Sequence, residues 1–180
     1  LAALLIILAV LAAYHNSFSG AFVLDDGGSI LDNPTIRQLW PLSVPLSPPD
    51  TAITVSGRPL LNLSLALNYA LTGLDPWSYH AFNVAIHLLA ALTLFGILRH
   101  TLVVNRPLPV NPVAADVSPL HLKSRNVSAD SRRLPHFNDP LLPLVITLLW
   151  AVHPLLTGAV TYVIQRAESL MGLFYLLTLY

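Results

Sequence analysis

The chain contains no cysteine. Disulfides and thiolate chemistry are therefore excluded, and the redox compartment stays open. Charge is scarce too: Asp, Glu, Lys and Arg make up 10% of the 180 residues, against about 25% in an ordinary soluble domain. The nine basic and nine acidic residues cancel, so there is no nucleic-acid signature. Three windows, residues 1–24, 76–98 and 140–165, have no charged side chain at all. A spanning helix needs roughly 20 apolar residues, and each window approaches or exceeds that length. With 54% hydrophobic residues and a mean hydropathy of +0.65, the chain reads as an all-α integral membrane protein.

Four hydrophobic segments follow: residues 1–14, 79–100, 140–157, and a last one that starts within 158–180 and runs to the end. The first opens without an initiator Met and the last is still apolar at Tyr180, so the chain reads as a fragment with a truncated first helix. A signal peptide is the rival reading of the opening run, but no well-spaced small-residue cleavage site precedes Asp25. His153-Pro154 is expected to close the third helix, because the residue before proline disfavours helix. The 15–78 segment carries two basic residues, Arg37 and Arg58, against five Asp. The 101–139 loop and its flank carry six: Arg99, Arg106, Lys123, Arg125, Arg132 and Arg133. The positive-inside rule makes that Pro-rich loop cytoplasmic and the first loop periplasmic or lumenal. Within the first loop, Leu60–Leu71 reads as a short helix at the membrane interface. Trp40, Trp77, Tyr69 and Tyr79 suit the aromatic belt near the headgroups.

Asp25 and Asp26 lie just past the first apolar run, in Phe22-Val-Leu-Asp-Asp-Gly-Gly-Ser-Ile-Leu-Asp-Asn-Pro34. Carboxylates at the mouth of a membrane segment are costly to desolvate, so the pair is a candidate site. Adjacent residues rarely point the same way; one could be a general base on an acceptor hydroxyl and its neighbour could hold a sugar hydroxyl, an arginine or a metal. A solvated turn is the rival reading, since Asp-Asp-Gly-Gly is good turn chemistry. Arg58 and Arg166 could each bind phosphate through a bidentate fork. Snorkelling to headgroups is the alternative, as is pairing of Arg166 with Glu168. His80, Asn83 and His87, spaced three and four apart, share one helical face. The two histidines are about 10.5 Å apart along the axis, which argues against one shared metal ion at about 2.1 Å from each. Interhelical hydrogen bonding is favoured for this set, and His153 reads as a structural helix-end residue.

Taken in order, Asp25-Asp26, Ile30-Leu-Asp-Asn-Pro34, Arg58-Pro-Leu60, Tyr79-His80, Asn83, His87, His153-Pro-Leu155 and Gln165-Arg-Ala-Glu168 form a set. This set resembles the N-terminal membrane region of the transmembrane-and-tetratricopeptide-repeat O-mannosyltransferases and their bacterial relatives. The resemblance covers nearly the whole chain except the Pro-rich loop. It implies part of a GT-C-type helical bundle, with a long outer first loop containing short interfacial helices. It also implies an integral-membrane, multi-pass glycosyltransferase of a bacterial inner membrane or endoplasmic reticulum. Such an enzyme uses a polyprenyl-phosphate-linked sugar as donor and a protein or other hydroxyl as acceptor, on the outer membrane face. The catalytic base would be Asp25 or Asp26, with Arg58 or Arg166 on the donor phosphate. His80, Asn83, His87, His153 and Glu168 would be substrate-binding or structural. No cofactor follows beyond an optional divalent metal. One departure stands out: the family's Thr-Glu-Ala-Val pattern is Thr157-Gly-Ala-Val160 here.

Two other readings compete. A non-catalytic membrane anchor or scaffold for a tetratricopeptide-repeat domain is supported by Gly158. A transporter fragment is prompted by the intramembrane histidines, but transport sites lie near the midplane on broken helices. A GT-C fold needs more than four helices, so residues 1–180 alone are expected to be inactive.

Overall fold

A computed structural model describes residues 1–50, 54–104 and 140–180. Most of the Pro-rich 101–139 loop, from residue 105 onward, lies outside the described residues. Among those described, every regular element is helical, as the composition led us to expect. Helix α1 (Ala2–Tyr14) is wholly apolar apart from its terminal tyrosine and tightens into a 3₁₀ turn at His15–Ser19. Helix α2 (Pro59–Thr72) starts on a proline, whose missing N–H would have been unpaired there anyway. It ends at Gly73, whose φ of +65° a side chain would resist. Helix α3 (Pro76–Val104) also starts on proline, and Asp75 Oδ1 caps it by accepting from the Trp77 amide at 3.2 Å. It outruns the expected 79–100 at both ends.

The apolar part of α3, Pro76–Leu102, is 27 residues long, or about 40 Å, which exceeds the ~30 Å hydrocarbon core. The stretch Ala2–Ser19 also meets the length and hydropathy needed to cross a bilayer. Helix α4 (Leu141–Ala151) stops at His153-Pro154, and the chain turns by 50° into Pro154–Thr161. That second piece holds a 3₁₀ turn, Pro154–Leu156, and helix α5 (Thr157–Thr161). Taken as one bent unit, it passes as a third span. Helix α6 (Arg166–Leu179) is 14 residues long, about 21 Å.

Helix α3 is the central post, packed by α1, α4, α5 and α6. Ala90 and Ala91, both buried, let neighbouring backbones approach closely. One core joins Ile6, Val10 and Tyr14 of α1 to Val84, Ala91, Ala151 and Val160. A second lies under the first loop and joins Ile30, Ile36 and Val55 to Leu61, Leu65, Tyr79, Val163 and Ile164. This second core docks the segment that follows α1 onto the α5–α6 connector.

The break at Pro154 explains two histidines. Proline has no N–H, and the next amide, Leu155, donates to His153 Nδ1 at 3.2 Å. The Ala151 carbonyl thus lacks a helical partner, which costs most where no water is present. Tyr14 donates its hydroxyl to that carbonyl at 3.1 Å, and His87 Nε2 sits 2.8 Å from it. The His87 ring also stacks on Trp150 at 5.2 Å.

Candidate active site

Asp25 and Asp26 are adjacent in sequence, but their environments differ. Leu24, just before them, is held at φ +46°, a left-handed conformation that costs a non-glycine residue about 1–2 kcal/mol. Asp26 is fully buried. Its Oδ2 accepts from the Val23 amide and its Oδ1 from the Ile164 amide, both at 3.0 Å. Burial raises the Asp26 carboxyl above its ordinary value, against the two amide bonds that pull it down. The Asp25 charge adds to the rise, and Arg166 opposes it. Asp25 is exposed. Its backbone amide donates to the Tyr162 hydroxyl at 2.9 Å, and no partner holds its carboxylate among the described residues.

Both aspartates thus rest on the connector Tyr162–Arg166, and that connector is clamped from α3. Asn83 Nδ2 donates to the carbonyls of Tyr162 and Val163, at 3.3 and 3.2 Å. Asn83 Oδ1 accepts from Arg166 Nε at 2.7 Å. Arg166 is fully buried. Its Nη1 donates to the Ser64 carbonyl and hydroxyl at 3.2 and 3.3 Å, and its Nη2 to the Tyr79 carbonyl at 3.0 Å. The guanidinium lies 4.8 Å from the Phe82 ring centre, a cation–π contact. Burial brings Arg166 down to about 9, so it stays charged at neutral pH. Its three nitrogens join α2, α3 and α6. No ion pair with Glu168 forms among the described residues; Glu168 is exposed instead.

Glu168 shares an apolar groove with Arg58. The groove, about 350 Å³, is lined by Leu60, Leu61, Leu170, Met171 and Phe174, with the two charged groups at its rim. A neighbouring groove of about 390 Å³ shares Leu60, Leu170 and Phe174 and extends between α2 and α6 to Leu67 and Phe82. Arg58 is exposed, and its Nη1 donates to the Thr54 carbonyl at 3.1 Å. Helix α2 buries Asn62 and Asn68 alongside Leu61 and Leu65, while Leu60 and Leu71 are 58% and 69% exposed. Buried asparagines with leucines left on the outer face suit a hydrocarbon surrounding.

The histidine face divides in the same way. Asn83 and His87 bond backbone carbonyls, in keeping with interhelical bonding. His80 is buried, and neither ring nitrogen has a hydrogen-bond partner among the described residues. It lies so close to Gly20 that an added Cβ there would sit 2.8 Å from its Nε2. Among the described residues no three His, Asp or Glu side chains converge to hold a metal ion.

Sequence reasoning missed one network. Asn33 Nδ2 donates to Asn62 Oδ1 at 2.8 Å and to the Ser29 carbonyl at 3.0 Å. Asn62 Nδ2 donates in turn to Thr35 Oγ1 and the Pro45 carbonyl, both at 2.8 Å. The signal was Asn62 interrupting an apolar helix, beside the Asn33-Pro34 turn. Tyr162 was also passed over, lying in a polar connection with no motif of its own.

No family model matches the chain, and no solved structure does. Relatives do. The protein O-mannosyl-transferase TMTC3 of Mus musculus is 33% identical over 181 residues, covering 96% of this chain and 16% of that protein. TMTC1 of Mus musculus is 32% identical over 172 residues, covering 91% of this chain and 15% of that protein. Tmtc3 of Drosophila melanogaster is 31% identical over 182 residues, covering 96% and 18%. The chain thus spans less than a fifth of the length of these relatives.

Proposed function

This chain belongs to the protein O-mannosyl-transferase family of these relatives, and from that premise we propose that it forms the acceptor-activating part of a membrane glycosyltransferase. The enzyme moves a sugar from a polyprenyl-phosphate donor to a protein hydroxyl on the outer membrane face, with the first loop in the periplasm or lumen. The observation that carries the reading is the division of the aspartates. Asp26 spends both oxygens on backbone amides, so Asp25, exposed and unpaired among the described residues, is the general base. Asp26 fixes the loop on which that base stands.

Arg58 is the arginine that can meet a phosphate, because Arg166 is consumed inside the fold. The α2–α6 grooves beside Arg58 suit the donor's hydrocarbon chain, and Arg58 then stabilises the leaving phosphate. Arg166, Asn83 and Ser64 hold the frame on which these groups sit. In the full-length protein, Asp25→Asn should cut transfer by about 10²–10⁴-fold, the usual contribution of a general base. Arg58→Gln should weaken donor use. Unchanged transfer in Asp25→Asn would remove the base assignment.

Gly158 favours a second reading, a non-catalytic anchor for a tetratricopeptide-repeat domain. A Cβ at 158 would meet nothing within 4 Å among the described residues, so close packing does not require glycine there. In this reading Asp25→Asn changes nothing in function, while charge placed on the buried faces of α1 and α3 abolishes it.

A further inference from the structure

Among the described residues the Tyr162 hydroxyl makes one hydrogen bond, and in it the oxygen is the acceptor: the Asp25 amide donates at 2.9 Å. A phenol has a donor as well. Among the described residues nothing accepts its proton. Tyr162 is fixed at every other point. Its carbonyl is held by Asn83 at 3.3 Å, its partly buried side chain packs on the Ile30–Leu65–Val163 core, and its oxygen is located by Asp25. With the Asp25 amide on one lone pair, the O–H keeps its donor capacity beside the residue whose carboxylate is exposed.

We propose that Tyr162 is the second contact of the acceptor site, donating its O–H to the same acceptor hydroxyl that Asp25 deprotonates. This rests on Asp25 being the base. The acceptor would present its proton to Asp25 and a lone pair to Tyr162, so two contacts fix its approach. In the transfer step the acceptor proton passes to the Asp25 carboxylate, and the acceptor oxygen bonds to the sugar's anomeric carbon. The bond from that carbon to the phosphate oxygen breaks, and the phosphate leaves with the electron pair. Tyr162 keeps its proton throughout, so its role is to bind and orient. A tyrosine here reads hydroxyl acceptors through one added donor and makes no demand on the lipid-linked donor.

The test is Tyr162→Phe in the full-length membrane protein, which leaves the ring but removes the proposed donor together with the oxygen that accepts the Asp25 amide. A lost hydrogen bond of about 0.5–1.5 kcal/mol corresponds to about a 2- to 12-fold change. The KM for a serine- or threonine-containing peptide should rise by about that factor, with the donor KM unchanged. An unchanged peptide KM, or an equal rise in both KM values, overturns the proposal. Peptide affinity is also measured directly in the Asp25→Asn protein, with and without Tyr162→Phe. Weaker binding with the second change supports the contact, and equal binding overturns it. Transfer that survives Asp25→Asn defeats the base assignment separately, since the binding comparison needs no turnover.

Discussion

Asparagine at position 25 and asparagine at position 26 should produce opposite phenotypes, although the two sites are neighbours. Asp26 accepts two amide bonds at 3.0 Å, and bonds to a charged group are worth about 1.5–3 kcal/mol each. Asp26→Asn keeps one carbonyl oxygen but turns an NH₂ toward the other amide. One of the two bonds is lost, a destabilisation of about 1.5–3 kcal/mol. Asp26→Ala removes both and leaves the buried Ile164 amide unpaired, at a further cost of about 1–3 kcal/mol; relief of the carboxylate's own burial cost offsets part of this. Asp25→Asn touches an exposed carboxylate and should change stability by less than about 0.5 kcal/mol. The assay pairs denaturant unfolding of the full-length protein in nanodiscs with sugar transfer to a peptide. Asp25→Asn should unfold like wild type and transfer poorly; Asp26→Asn should unfold early and, where folded, keep substantial transfer. Wild-type stability for Asp26→Asn together with a 100-fold loss of transfer, and full transfer for Asp25→Asn, would refute the reasoning and exchange the two roles.

Arg166→Lys retains the charge but cannot reach Asn83, Ser64 and the Tyr79 carbonyl together; breaking a buried charge network of this kind should cost about 3–5 kcal/mol, read by unfolding in nanodiscs. His87→Phe should cost about 0.6–2 kcal/mol, the range for a bond inside a bilayer, and double-mutant comparison with Tyr14→Phe should show coupling through the Ala151 carbonyl. Asp26 sets a pH dependence of stability. Its folded carboxyl titrates above the ordinary 3.8, so the folded state binds more protons than the unfolded state in that window. Stability should fall as pH rises from about 3.8 through the raised value and level off above it, and Asp26→Asn should flatten this slope.

Scarcity of charge and three uncharged windows were enough to determine an all-helical membrane chain, because hydrocarbon admits few backbone solutions. Pro154 marked a real break for a local reason, since it lacks an amide; the stop at Gly73 was not read in advance. The face shared by Asn83 and His87 was also legible, since helical spacing alone aligns them. Other features needed partners distant in sequence. Nothing near Asp26 in the chain announces that the Ile164 amide will meet its carboxylate, so only the packed connector separates a structural aspartate from an exposed one. Arg166 likewise looked as available for phosphate as Arg58. Its neighbours Ser64, Tyr79 and Asn83 come from two other helices, and their convergence removes it from the surface. Local rules thus set the helices and their ends, while contacts across more than eighty residues decided which of the charged groups remain free to act.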